Sequence, residues 1–169
     1  MGLLDNKIAI VTGAGQGIGR GIARRFAAEG ARVVIAEISQ EHGERTAGEI
    51  NERYPGHALF IATDVADKAQ VQRAVAHTVK HFGALDILVN NASAGSPNVP
   101  LEAKTDAMLA RTLGAGLWGT WWFMHSALPH LRARGGGRII NFYSIDADAA
   151  AWRHGDYNAN KAAIQGLSR

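Results

Sequence analysis

Tyr157 stands four residues ahead of Lys161, in the stretch DYNANKAAIQGLSR. Residues four apart share one face of a helix, so a phenol and an ammonium would project together. A phenol ordinarily loses its proton near pH 10. A neighbouring ammonium favours the phenolate and lowers that value, which suits a group that takes or gives a proton near neutrality. Of the three tyrosines only Tyr157 has this partner: Tyr54 is followed at that spacing by Ala58, and Tyr143 by Ala147. Such pairs also arise by chance, so the meaning of this one depends on its surroundings.

A second stretch able to do chemistry lies near the start. Thr12-Gly13-Ala14-Gly15-Gln16-Gly17-Ile18-Gly19 follows an apolar run and opens a helical pattern. Glycines there allow a tight turn, let backbone N–H groups approach a pyrophosphate and let the helix pack close to the strand. The positive end of the helix then favours the anion. A tight strand-to-helix turn alone would also use glycines. Glu37 ends the next apolar run, eighteen residues beyond Gly19. A carboxylate there accepts hydrogen bonds from an adenosine ribose diol and repels a 2′-phosphate, so NAD is expected rather than NADP. A solvated strand end is the alternative for Glu37, and Arg32 lies too far back to receive a phosphate.

The elements that would position these groups are readable from periodicity. The runs 7–12, 32–37, 57–63, 85–90 and 138–144 are β-branched and nearly continuous in apolar residues, as in parallel strands buried on both faces. Helical stretches fill 17–29, 40–53, 67–82, 105–132 and 152–169. This alternation predicts an α/β fold with a doubly wound parallel sheet of about five strands, helices on both faces and right-handed crossovers. Gly30, Pro55-Gly56, Gly83 and Gly135-Gly136-Gly137 fall where turns are needed, and Asp67 and Thr105 are expected N-caps. With no internal repeat and no linker, residues 1–169 read as a single domain.

Bulk properties narrow the function. The 169 residues are 47% apolar and 20% charged, enough for an ordinary globular core. The net charge of +3 is spread without a Lys/Arg run, which argues against nucleic-acid binding. The absence of cysteine excludes disulfides, thiolate catalysis and Cys-ligated zinc, and it suits a reducing compartment. The seven histidines show no ligand pairing, so no metal is expected. Neither a signal-peptide pattern nor a membrane-length apolar run is visible, and the cytoplasm is the expected location.

The spacing Gly13-x3-Gly17-x-Gly19 after Thr12, together with Asn90-Asn91-Ala92 and Tyr157-x3-Lys161, resembles the short-chain dehydrogenase/reductase family across essentially the whole chain. The resemblance implies that Asp64-Val65 hold the adenine amino group, and that Asn91 and Ala92 line the adenosine side and steady the sheet. Ser93 replaces the family's usual glycine. Locally, Asp64 could instead cap a turn and Asn90-Asn91 could form Asx-turns. Ser144, thirteen residues before Tyr157, matches the family serine that hydrogen-bonds the substrate oxygen; a strand-end serine satisfying backbone groups is the alternative. The implied reaction is hydride transfer between nicotinamide and a secondary alcohol or carbonyl compound. Ser144, Tyr157 and Lys161 are then the catalytic set, and Lys161 also donates to the nicotinamide ribose. The family further implies homodimers or homotetramers of the full-length form. Trp118, Trp121 and Trp122, which share a helical face with His125, fit an interface or core role there.

The sequence departs from the family in two places. Gly116 falls where many members carry an Asn that supports a proton-relay water, so no side chain of its own remains there. The family also continues into a sixth strand, a substrate-covering loop and a seventh strand, whereas this sequence stops eight residues after Lys161. The expectation is a fragment whose adenosine half is complete and whose nicotinamide half is not. A truncated, non-catalytic dinucleotide-binding or interaction module is the alternative. Trp152, Arg153, His154, Asp146 and Asp148 precede Tyr157 and could touch substrate or simply lie at the surface.

Overall fold

In a computed structural model, residues 2–169 are described. Five strands, β1 (Ile8–Thr12), β2 (Arg32–Glu37), β3 (Ala58–Ala62), β4 (Ile87–Asn90) and β5 (Arg138–Asn141), form one parallel sheet in the order β3-β2-β1-β4-β5. The helices are α1 (Gly17–Ala28), α2 (Gln40–Arg53), α3 (Lys68–Phe82), α4 (Asp106–Leu113), α5 (Gly119–Ala133), α6 (Ile145–Ala149) and α7 (Gly155–Leu167).

The apolar continuity has the expected cause in the inner strands, whereas the edge strands β3 and β5 are only partly buried. β1 and β4 are buried throughout, and alternate side chains serve two separate cores. Ala9, Val11, Val33, Ile35 and Val89 face α1 and α2, where Ala23, Ala27, Ala47 and Ile50 meet them. Ile10, Val34, Ala36 and Leu88 face the other way, onto Val71 and Val75 of α3 and Phe123 and Leu131 of α5. Phe123 is fully buried, and burying such a side chain contributes about 2 kcal/mol. The alanines of α1 let it lie close to the sheet, which places its first turn over the end of β1.

Helix ends fall near their signals. Asp67 accepts from the N–H groups of Ala69 and Gln70, Thr105 accepts from Met108, and Gly83 closes α3 in the left-handed conformation. Several boundaries differ from the sequence reading, among them the last helix, which begins at Gly155 rather than 152 and follows a short helix, α6, that was not expected. β5 ends at Asn141, so Ser144 lies beyond the strand as the N-cap of α6. The predicted helix over 105–132 is interrupted by a π-helical turn at 114–118, where two glycines, Gly114 and Gly116, stand among bulky neighbours. No described helix is long and apolar enough to cross a membrane.

The chain runs outward from β1 to β3 and then returns to β4 on the other side of β1. The crevice at the carboxyl ends of β1 and β4 is therefore the switch point, where open α/β sheets bind ligands.

Candidate active site

At that switch point Thr12 ends β1, and its hydroxyl accepts the backbone N–H groups of Asn91 and Ala92 at 3.0 and 2.9 Å. The Asn91 amide in return donates to the carbonyls of Thr12 and Gly13 at 2.9 and 3.2 Å. The glycine loop is thereby tied to the end of β4. Gly13 and Gly17 turn the chain with φ of +61° and +54°, a conformation that favours glycine.

Glu37 is buried and its carboxylate is fixed by three backbone donors. Gly15 donates to Oε2 at 2.9 Å, and Ile38 and Ser39 donate to Oε1 at 2.9 and 3.1 Å. Thr46 of α2 donates to the Gly15 carbonyl at 3.1 Å, a support that no local sequence signal announced. Asp64 accepts the N–H of Ala66, so it makes the turn foreseen as its alternative role while also facing the cleft.

These groups border a cleft of about 670 Å³. Of the sequence-predicted residues it brings together Gly13, Gln16, Glu37, Asp64, Val65, Asn91 and Ala92. Gly15, Gly17, Ile18 and Gly19 do not line it, nor do Ser144, Tyr157 and Lys161. Arg111 of α4 does border the cleft, and sequence reasoning missed it.

The donor set fits a dinucleotide diphosphate. α2, α3 and α4 are each capped by their own side chains, from Ser39, Asp67 and Thr105. α1 begins with no side-chain cap and no acidic residue in its first turn, so its free N–H groups and positive end remain available to an anion.

Tyr157 and Lys161 lie on α7 and share a face, with the Lys161 ammonium 5.7 Å from the centre of the Tyr157 ring. Lys161 is only 4% exposed, and burial lowers its pKa. Its Nζ donates to the Phe142 carbonyl at 2.8 Å. That bond ties α7 to the end of β5, two residues before Ser144. The Ser144 oxygen accepts the N–H of Asp146 at 3.2 Å, the backbone-satisfying role foreseen as its alternative. Its own proton remains free to donate. His154 packs edge-on to Tyr157 with ring centres 6.1 Å apart, and its Nδ1 lies 3.6 Å from Asp146. Trp152 is exposed, with the Arg153 guanidinium 3.9 Å from its ring centre.

Gly116 is not left without a side chain beside it. Asn160 of α7 is fully buried and its amide fills the space: a Cβ built on Gly116 would lie 2.1 Å from Asn160 Nδ2 and 2.4 Å from Oδ1. An amide therefore reaches this place from the neighbouring helix.

Asp156, next to Tyr157, is a further group the sequence did not reveal. Burial opposes its ionisation, but Lys104, Ser96, Thr112 and the N–H of Tyr157 outweigh that and pull its pKa from 3.8 to about 2. A carboxyl held low in the folded state contributes stability above its unfolded value and loses it as pH falls towards the folded one. Stability should thus drop by about 2 kcal/mol from this group between about pH 4 and pH 2. Urea unfolding across that range should show a step that Asp156→Asn removes; an unchanged acid limb in the variant would count against the assignment.

The expectation of unpaired histidines fails at one point. His77 and His81 lie one turn apart on α3, with ring centres 6.3 Å apart. Arg73 and Lys80 stand beside them, and among the described residues no third ligand completes a metal group.

The sequence model of short chain dehydrogenases matches residues 7–169. The chain belongs to the short-chain dehydrogenase family. Relatives include a short chain dehydrogenase/reductase of Aspergillus oryzae, 36% identical over 167 residues, which are 98% of this chain and 64% of the relative. The L-fucose dehydrogenase of Oryctolagus cuniculus is 37% identical over 96% of this chain and 55% of its own. The sorbitol dehydrogenase of Cereibacter sphaeroides is 38% identical over 98% and 63%. The chain thus spans 55% to 64% of the length of these dehydrogenases.

Proposed function

We propose that this chain carries the cofactor site and the proton-handling residues of an NAD-dependent oxidoreductase that interconverts a secondary alcohol and its carbonyl compound. The observation that carries the reading is the Lys161–Phe142 bond, which draws the helix of Tyr157 to the strand end that leads to Ser144. Relatives named for L-fucose and sorbitol support a polyhydroxylated substrate.

Bound nicotinamide would supply the hydride donor or acceptor. The protein's own groups do the rest. Ser144 donates to the substrate oxygen and orients it. Tyr157 takes the carbinol proton in oxidation and returns it in reduction. Lys161 keeps positive charge beside the phenol, and its remaining N–H donors would be available to the cofactor ribose. Gln16, Gly17, Ile18 and Gly19 at the start of α1 would cradle the anion, with Gly13 and Gly15 shaping the turn while their N–H groups bond Ala36 and Glu37; Asp64, Val65, Asn91 and Ala92 would line the adenosine end. The exposed Trp118, at the end of the π-helical turn, and Trp121 of α5 support a homodimer or homotetramer.

A cleft whose lining includes none of Ser144, Tyr157 and Lys161 supports a second reading, dinucleotide binding without turnover. Absorbance at 340 nm, with NAD and either sorbitol or L-fucose, separates the two. NADH formation by this chain, or by a chain of its relatives' length, supports the enzyme. Binding of NAD with no NADH formation in either supports the module.

Cofactor choice has its own test. Glu37→Gln removes the charge and keeps one acceptor oxygen for the backbone donors. The dissociation constant for NADPH, relative to that for NADH, should fall by about tenfold or more. Fluorescence titration with both nucleotides measures it, and an unmoved ratio refutes the role of Glu37.

A further inference from the structure

We propose that Asp156 is a positioning residue that couples the wall of the cofactor cleft to the Tyr157 phenol. The proposal rests on the reading of that cleft as a dinucleotide site. Asp156 lies in the first turn of α7 and is 6% exposed. Its carboxylate gathers the Lys104 ammonium at 2.8 Å, the Ser96 hydroxyl and the Thr112 hydroxyl at 3.0 Å, and its backbone leads directly into Tyr157.

Ser96 and Lys104 lie in the segment before α4 and Thr112 in α4, all far from Asp156 along the chain. Ser96 follows Gly95, and Thr112 follows Arg111; Gly95 and Arg111 both border the cleft. Tyr157 is the proton carrier. One carboxylate therefore joins two points on the cleft wall to the backbone of the residue that handles the proton. Residues 91–100 contain neither helix nor strand, so no backbone ladder fixes this side of the cleft. Lys104 holds the segment again, donating to the Ser96 hydroxyl at 2.6 Å and to the Pro97 carbonyl at 2.7 Å.

A buried ion pair is a poor source of net stability, because desolvating both charges offsets much of their attraction. What such a cluster does supply is direction, since every donor must meet its acceptor in one geometry. Filling the cleft adjusts the segment at Gly95 and the helix at Arg111. Asp156 transmits that adjustment to the turn bearing Tyr157.

The test labels the three tyrosines with 3-fluorotyrosine and follows them by fluorine NMR. The Tyr157 resonance is the one that Tyr157→Phe deletes. ADP is the probe: it carries the adenosine and diphosphate without the second ribose or nicotinamide, so a response at Tyr157 comes through the protein. ADP should shift the Tyr157 resonance in the unsubstituted chain. The shift should vanish in S96A/T112V, which cuts both links to the cleft wall and leaves the ion pair in place. It should vanish also in K104M/D156N, which removes both charges together and guards against a folding defect in the first variant; thermal unfolding monitors both. A shift that survives in both variants overturns the coupling, as does an unmoved resonance when calorimetry shows ADP bound. Absence of any binding heat overturns the cofactor reading itself, and the coupling with it.

Discussion

A Tyr157→Phe protein, in a chain of its relatives' length, is expected to lose about 10³-fold in kcat while binding NADH as before. The substitution removes one oxygen and leaves the ring, which packs against His154 at 6.1 Å and lies 5.7 Å from the Lys161 ammonium. Neither contact uses the hydroxyl, so the fold of α7 should be unaffected. The cleft wall contains no part of Tyr157, which is why affinity for the dinucleotide should hold. Lys161→Met is the instructive contrast. Its Nζ is the tie to Phe142, so kcat and cofactor affinity should fall together as α7 loosens from β5. Wild-type turnover in Tyr157→Phe would end the acid–base assignment, and unchanged cofactor affinity in Lys161→Met would end the anchoring one.

The parts of this architecture that were legible are those written in local pattern. Strands such as IAIVT and RVVIAE announce themselves because their middles are buried on both faces and run continuously apolar. Asp67 and Thr105 were legible as caps because capping is settled within three residues. Ser144 shows the limit. Its spacing to Tyr157 was readable, but its place beyond β5, as the cap of α6, depends on where strand pairing with β4 stops at Asn90–Asn141. The Asp156 cluster was invisible for a stronger reason: its partners are 44 to 60 residues away, and Lys104 reads locally as one more surface charge. Asn160 was hidden likewise. Only the packing of α7 across the π-helical turn shows that its amide stands where Gly116 leaves room.

Gly19→Ala and Gly21→Ala should have opposite effects although they lie two residues apart in α1. A Cβ on Gly19 would stand 2.3 Å from the Gly13 carbonyl oxygen and 2.5 Å from the Asn91 amide nitrogen. Both are held: Gly13 donates its own N–H to the Ala36 carbonyl, and the Asn91 amide bridges Thr12 and Gly13. Relief would require breaking the tie between the glycine loop and β4 or lifting α1 from the sheet. Overpacking of this kind costs about 1–3 kcal/mol, and the displaced loop should weaken NADH binding at least about tenfold. Gly21 faces open space, with nothing within 4 Å of an added Cβ. There alanine only gains helix propensity, so Gly21→Ala should stabilise the protein by about 0.5–1 kcal/mol and leave NADH affinity unchanged. Urea midpoints and NADH titrations on the two variants measure the contrast. Equal effects would mean that the close approach of α1 to β1 and β4 does not shape the cradle. A stability loss in Gly19→Ala with full NADH affinity would mean that the cradle tolerates the loop's displacement and that the diphosphate is held elsewhere.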